Sequence, residues 1–403
     1  MKSIFFTRQF FNHLSGLLAG IFILSFTFFR VPIFLSKYIL IAYSFNLFFA
    51  LGFLIVFYFG FKLLSFRGIW GILCLCLIEC LIILKTTYEV KNQSKFLFSF
   101  PGKNFMYSNM ANTLQFDDTI CEYDDKIGYK YKPSVNASFS QWEFNVNKLT
   151  TNSYGLRDDE TSLVHPQIIS LGDSFCTGSG VEQDQTYTDI IEKKLNIRSL
   201  NAGISSFGTI REGLMLKSLD RDSLKLVILQ YCLNDFEENK TWADSLATGA
   251  TFHPSYNENE YKKWVIRNSV LRAYFPFRYI FEILKEGAKE KFNIKSPENN
   301  FGDKKNILQH SAYFIKSLNL IRKFYDGPIL VISLSNSPQR LDPLLIETAQ
   351  LEANNHQMKD IFFLNLQNDI GPNDHYFFDG HLTKTGHEKV ATSIVKYIKE
   401  KSI

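Results

Sequence analysis

The sequence predicts an α/β fold: a three-layer α/β/α arrangement around a parallel sheet, preceded by N-terminal transmembrane helices. Three observations carry this expectation. From residue 166 onward, short apolar runs alternate with longer helical stretches, the pattern of parallel strands joined by crossover helices. The first of these runs ends in Gly172-Asp173-Ser174, small and polar residues where open α/β sheets hold their ligands. The first ninety residues gather Phe, Leu and Ile into uncharged runs, a composition suited to lipid.

The apolar runs come first. Residues 10–29 and 38–61 carry no charged side chain and reach the roughly 20 residues that a span requires. A third run, 68–84, contains Glu79 and extends only about 25 Å. Glu79 reads there as a neutral or interfacial side chain of a three-helix anchor, against the alternative of a functional site. The first run is too long for a signal peptide and lacks a small-residue cleavage site. Lys2, Arg8, Lys62 and Arg67 flank one side and Arg30 and Lys37 the other. That balance places the N-terminus inside and the large domain on the extracytoplasmic side. A third run that failed to span would reverse the domain's side. Lys91, Lys95 and Lys103 then alternate with Phe96, Phe98, Phe100 and Phe105, which suits a neck near the headgroups. The expected domains are therefore an anchor at 1–90, a neck at 91–119 and one large domain at 120–403, with an insertion at 236–305.

Composition excludes several classes. Net charge is +4 over 403 residues, and no Lys/Arg cluster is dense enough for a nucleic-acid partner. The six cysteines form no disulfide framework, and no Cys/His spacing suits a metal. Cys74, Cys76 and Cys80 lie in the third apolar run. Cys176 and Cys232 fall near the candidate site and read as free buried thiols, with a bond between them as the alternative. No cofactor is implied.

Within the large domain, residues 127–131 and 142–146 read as strands of a small β lead-in, the second by its alternation. It ends in Asn152-Ser153-Tyr154-Gly155-Leu156-Arg157. Strands of the main sheet are expected at 168–171, 199–202, 226–231, 329–334 and 361–366. A helix is expected at 186–195 and a last one at 384–399, where Val390, Ile394, Val395 and Ile398 share a face. Residues 236–305 break the rhythm and read as an insertion over the sheet's C-terminal edge, a lid or acceptor site.

Acyl transfer at a serine needs a base, an orienting carboxylate and donors for the oxyanion. Candidates for each lie at strand ends. Ser174 follows the first strand, where a plain strand-to-helix turn is the alternative. The small-residue turn 201–209 follows the second and can present backbone N–H groups. Asn234 ends the third and offers a side-chain amide. Asp379-Gly380-His381 precedes the last helix and joins a carboxylate to an imidazole. His375 is a weaker base candidate, and His387 reads as a packing or capping residue.

These four stretches, in this order, resemble the blocks of the SGNH or GDSL hydrolase family. Gly172-Asp173-Ser174-Phe175 matches the nucleophile block, 201–209 the second, Cys232 to Asp235 the third, and Asp379 to His381 the last. The 152–157 stretch is similar to one that precedes this domain in membrane-linked bacterial members. The resemblance implies a flavodoxin-like sheet. It implies Ser174 as nucleophile, His381 as base and Asp379 as its orienting carboxylate. It implies oxyanion donors in the N–H of Ser174, the N–H of Ser206 and the side chain of Asn234. Three positions depart from the family pattern. Ser206 and Cys232 stand where glycine is usual, and Asp379 and His381 are two apart where three is usual. A Ser–His dyad, or Asp374 as partner, stays open.

Three functions follow from this. The first is a membrane-anchored serine esterase acting on an acylated glycan or lipid of the cell envelope. The second is an O-acyltransferase of envelope polysaccharide using the same site. The third is a non-catalytic envelope-binding protein with a decayed site. Oligomeric state is not legible in the sequence.

Overall fold

In a computed structural model of the chain, the described residues are 8–35, 48, 51–60, 62, 113–141, 143–271, 304–335, 341–356, 358–366, 368–376 and 379–403. They fall into two units. One takes residues up to 112 with 140–145 and 266–296, and the other takes 113–139, 146–265 and 297–403.

In the first unit, α1 (Arg8–Leu35) covers the first apolar run, and residues 51–60 form a helical stretch within the second. The two run antiparallel at close range. A Cβ on Gly16 would lie 2.4 Å from the Phe59 ring, one on Gly20 2.8 Å from Val56, and one on Gly52 2.9 Å from Ile23. Among the described residues no helix is long and apolar enough to cross a membrane. The third apolar run, with Glu79 and Cys74, Cys76 and Cys80, lies outside the described residues, as does the expected neck up to residue 112.

The second unit begins at Thr113, ahead of the expected start at 120, because Leu114 is already buried against it. Two small antiparallel pairs follow: β1 (Cys121–Asp124) with β2 (Gly128–Tyr131), and β3 (Asn136–Ser140) with β4 (Asn145–Thr150). The expected strand at 142–146 is thus displaced to β4. Val146 and Leu149 are its buried residues, and they draw the strand past the segment that alternation alone suggested.

The main sheet has five parallel strands: β5 (Ile168–Leu171), β6 (Ser199–Asn201), β7 (Leu226–Tyr231), β8 (Ile329–Ser333) and β9 (Ile361–Leu364). Their order is β6-β5-β7-β8-β9, the 2-1-3-4-5 order of flavodoxin-like sheets. Every residue of β5, β7 and β8 is buried, as expected for strands covered on both faces. Alternation sorts their side chains. Ile168, Leu226, Ile228, Leu330 and Ile332 pack with Ile191 of α3 (Tyr187–Leu195) and with Val390, Ile394 and Ile398 of α9 (Lys384–Lys401). The four-residue helix α2 (Ser174–Thr177) joins β5 to the loop before α3.

Another helical layer contains α4 (Thr209–Ser218), α5 (Asp235–Ala247), α7 (Lys304–Arg322) and α8 (Leu341–Asn355). Ile210 of α4, Ala243 and Leu246 of α5, and Leu320 of α7 share one apolar cluster. This corrects the expected insertion. Residues 235–247 are a helix of the layer and not a lid, because Ala243 and Leu246 complete that cluster. What departs from the repeating pattern among the described residues is α6 (Glu258–Leu271); the rest of the expected insertion, 272–303, lies outside the described residues.

Candidate active site

The nucleophile turn is built by close approach. A Cβ on Gly172 would meet Gln230 Oε1 at 2.5 Å and Cys176 Cβ at 2.7 Å, so only glycine fits between β5, β7 and α2. Asp173 caps α2, its side chain accepting from Phe175 N at 2.9 Å. Ser174 is then the first helical residue. N–H groups in a helix's first turn have no intrahelical acceptor, and among the described residues the Ser174 N–H has none. The loop beyond α2 is held by Arg157, fully buried. Its guanidinium donates to Thr177 O, Gly178 O and Val181 O at 3.0, 2.6 and 2.6 Å. Burial lowers its pKa to about 10. Arg157 is the last residue of the lead-in motif, and these bonds tie that motif to the loop after α2.

His381 lies 207 positions from Ser174 in sequence, and its Nε2 sits 2.6 Å from Ser174 Oγ. On the other side of the ring, Nδ1 is hydrogen-bonded to Asp379 Oδ1. The same oxygen accepts from His381 N at 3.4 Å. The two-residue spacing works because Gly380, between them, has φ of +79°. That left-handed residue folds the carboxylate back onto the ring. His375 Nδ1 donates to Gly380 O at 2.8 Å, and Tyr376 N donates to His381 O at 2.8 Å. Asp374 does not serve the histidine. Its carboxylate meets Lys389 Nζ and Gly371 N, both at 2.8 Å. Burial presses the His381 imidazole toward its neutral form, but the Asp379 charge and hydrogen bond outweigh it, with help from Asp173, and its pKa is raised.

The second block forms a tight loop beside α2. Ile204 N donates to Gly172 O at 3.1 Å, and Asn201 Nδ2 donates to Cys176 O at 3.0 Å. Ser206 has φ of +59°, the left-handed region that favours glycine. The family's usual glycine at this position thus has a backbone reason. Among the described residues the Ser206 N–H donates to no acceptor. Asn234, exposed after β7, donates weakly from Nδ2 to Asp173 Oδ2 at 3.4 Å.

Several neighbours were not among the sequence candidates. Asp173 is buried, and burial raises its pKa against the bonds it accepts. Gln230 Oε1 accepts from Asp173 N at 3.1 Å. Gln115 touches the second-block loop from 90 residues away. Asp173 lies inside a quoted motif and its capping role was legible, while no local pattern marks Gln115. Cys176 and Cys232 are both buried as thiols, and burial pushes the Cys176 thiol up. His387 packs as expected. Its Nδ1 accepts from Tyr187 N at 3.2 Å, and burial, then Arg157 and His381 nearby, lower its pKa to about 3.

A hydroxyl, an imidazole and a carboxylate in series, at the C-terminal edge of a parallel sheet, can activate an alcohol oxygen toward a carbonyl carbon. They sit at the switch point of the strand order, where β5 and β7 are neighbours.

No family model matches the sequence, and no curated protein matches it. Among solved structures, a member of the lipolytic G-D-S-L family from Veillonella parvula is 11% identical, with a TM-score of 0.33 over 57% of this chain and 96% of the other. An acetyl xylan esterase from the rumen bacterium Butyrivibrio proteoclasticus is 14% identical, with a TM-score of 0.36 over 58% of this chain and 63% of the other. A carbohydrate esterase whose active site is described as having divergent catalytic and non-catalytic binding functions is 9% identical, with a TM-score of 0.34 over 59% of this chain and 65% of the other. The chain thus spans less than two thirds of either carbohydrate esterase. Among solved structures, this chain is similar to GDSL lipolytic proteins and carbohydrate esterases.

Proposed function

We propose that this protein is an SGNH-type serine hydrolase that cleaves acyl esters through an acyl-enzyme on Ser174. The observation that carries the proposal is the Ser174 Oγ to His381 Nε2 contact of 2.6 Å, with Asp379 bonded to the far nitrogen. In this reading His381 takes the Ser174 proton as the oxygen attacks the ester carbonyl. Asp379 fixes the tautomer and balances the imidazolium. Negative charge on the carbonyl oxygen meets the N–H of Ser174, the N–H of Ser206 and the Asn234 amide. His381 then returns its proton to the departing alcohol. Water, deprotonated by the same imidazole, releases the acid and restores Ser174. Ser174→Ala should abolish hydrolysis of a chromogenic acetyl ester and labelling by a fluorophosphonate probe, with the fold retained by circular dichroism. A Ser174→Ala protein that hydrolyses at the wild-type rate would rule the proposal out.

The substrate proposed is an acyl ester on a cell-envelope glycan or lipid, met by a domain tethered at the membrane on its extracytoplasmic side. The antiparallel packing of α1 on residues 51–60 supports the tether. Gly16 and Gly20 form a small-xxx-small pair of the kind that lets helices approach closely in lipid. The uncharged sequence of both runs supports it too. A sugar hydroxyl in place of water would make the same site an O-acyltransferase. Mass spectrometry of envelope glycans from a deletion strain separates the two: acyl groups gained mean hydrolysis, acyl groups lost mean transfer. Carbonate extraction and a topology reporter fused after the last residue test the tether and its side.

A further inference from the structure

Ser206 does without the glycine that its backbone conformation favours, and the structure shows what surrounds it instead. A serine at φ of +59° is strained by contact between its Cβ and the backbone. Two side chains hold it. Arg211 donates from its guanidinium to Ser206 O at 2.6 Å. Arg211 is itself fixed by Glu238 at 2.6 Å and lies over the Phe207 ring at 4.3 Å. On the other side, Gln115 Nε2 donates to Ser206 Oγ at 3.1 Å, and Gln115 Oε1 accepts from Ser205 Oγ at 3.3 Å. One amide thus bridges two adjacent hydroxyls. In the observed conformation of the 205–206 peptide both hydroxyls face that amide.

Gln115 is well anchored for this. Its carbonyl accepts from Tyr261 Oη on α6 at 2.9 Å. The next residue, Phe116, packs against Tyr261 and Trp264 at ring distances of 5.9 and 5.4 Å. The preceding residue, Leu114, is buried.

We propose that Gln115 is a positioning residue, which keeps Ser206 in its left-handed conformation and so keeps the Ser206 N–H free for the oxyanion. Glycine at 206 would need no such clamp, because it takes this φ without steric cost. The clamp and the serine are therefore a matched pair, and α6 supports them through Tyr261. The inference rests on the hydrolase reading.

The test is a rescue, followed by kcat and KM on a chromogenic acetyl ester with the full chain. Gln115→Ala should lower kcat by about ten- to a hundredfold with KM little changed, short of the roughly 10²–10³ lost with a whole oxyanion donor. Gln115→Asn, one methylene too short to reach both hydroxyls, should behave the same way. Adding Ser206→Gly to Gln115→Ala should recover most of the lost kcat. A merely structural role for Gln115 would not be repaired by a change at 206. Wild-type kcat in both Gln115 variants overturns the clamp alone, as does a double variant no better than Gln115→Ala. A wild-type protein whose Ser174 takes no fluorophosphonate label and hydrolyses no ester overturns the hydrolase reading, and the clamp with it.

Discussion

Asn234 has one long hydrogen bond, to Asp173 at 3.4 Å, and is otherwise exposed. Such an amide can turn toward a developing charge at little cost. Asn234→Ala should lower kcat by about 10²–10³, with the melting temperature nearly unchanged. Steady-state kinetics and calorimetry on the same sample check both halves. In the proposed mechanism the pH dependence falls to His381. Only the neutral imidazole can accept the Ser174 proton, and Asp379 raises its pKa above the ordinary histidine value. The rate should therefore rise with pH, with its midpoint above about 6.5, and Asp379→Asn should move that midpoint down. A pH–kcat/KM profile of the two proteins measures the shift. Gly380 holds the carboxylate and imidazole together at φ of +79°. Gly380→Ala strains this turn by about 1–2 kcal/mol. The expected result is a lower kcat at unchanged Ser174 labelling stoichiometry under excess probe.

At the scale of elements, α4 carries an unusual buried carboxyl group. Glu212 on α4 is buried, and among the described residues neither carboxylate oxygen has a hydrogen-bond partner. Burial, then the carboxylates of Asp235 and Asp173, hold its pKa well above the usual range. A raised folded pKa means stability that is complete below the unfolded value, near about 4.3, and is lost as pH climbs toward the folded one. Glu212→Gln removes that loss. Its melting temperature should exceed the wild type's at pH 8, by roughly 2–4 °C for each kcal/mol, and the gain should vanish near pH 4. Scanning calorimetry at the two pH values decides it. Strand positions were the most legible elements. Ile168–Leu171 and Leu226–Tyr231 fall where their unbroken apolar runs place them, because a strand buried on both faces tolerates little else. The displaced strand β4 and the layer helix α5 were less legible. Alternation over five residues cannot fix an edge, and the polar face of α5 hides a narrow apolar stripe from a reading of composition.

For the whole molecule, the sequence carried the order of the site more than its closure. Four short blocks at strand ends predicted a site at one edge of the sheet, and two of them, 207 positions apart, bring Ser174 Oγ and His381 Nε2 to 2.6 Å. Parallel strands deliver their C-terminal ends together, so chain order and place in the sheet suffice. The choice between Asp374 and Asp379 was not legible, since it turns on a backbone angle at Gly380 and on Lys389 claiming Asp374. Gln115 was hidden for a related reason. Its contact spans 90 positions and depends on how the lead-in packs, which no periodicity encodes.

The left-handed glycine between Asp379 and His381 has a reach beyond this one polypeptide. Where the carboxylate and imidazole stand two apart, the intervening site should admit glycine, or at most asparagine, while a three-residue interval leaves it free to drift. Spacing and residue identity ought then to be inherited together. Loss of the glycine in any descendant should be followed by an inserted residue, and the pairing can be read from genomes without purifying a protein.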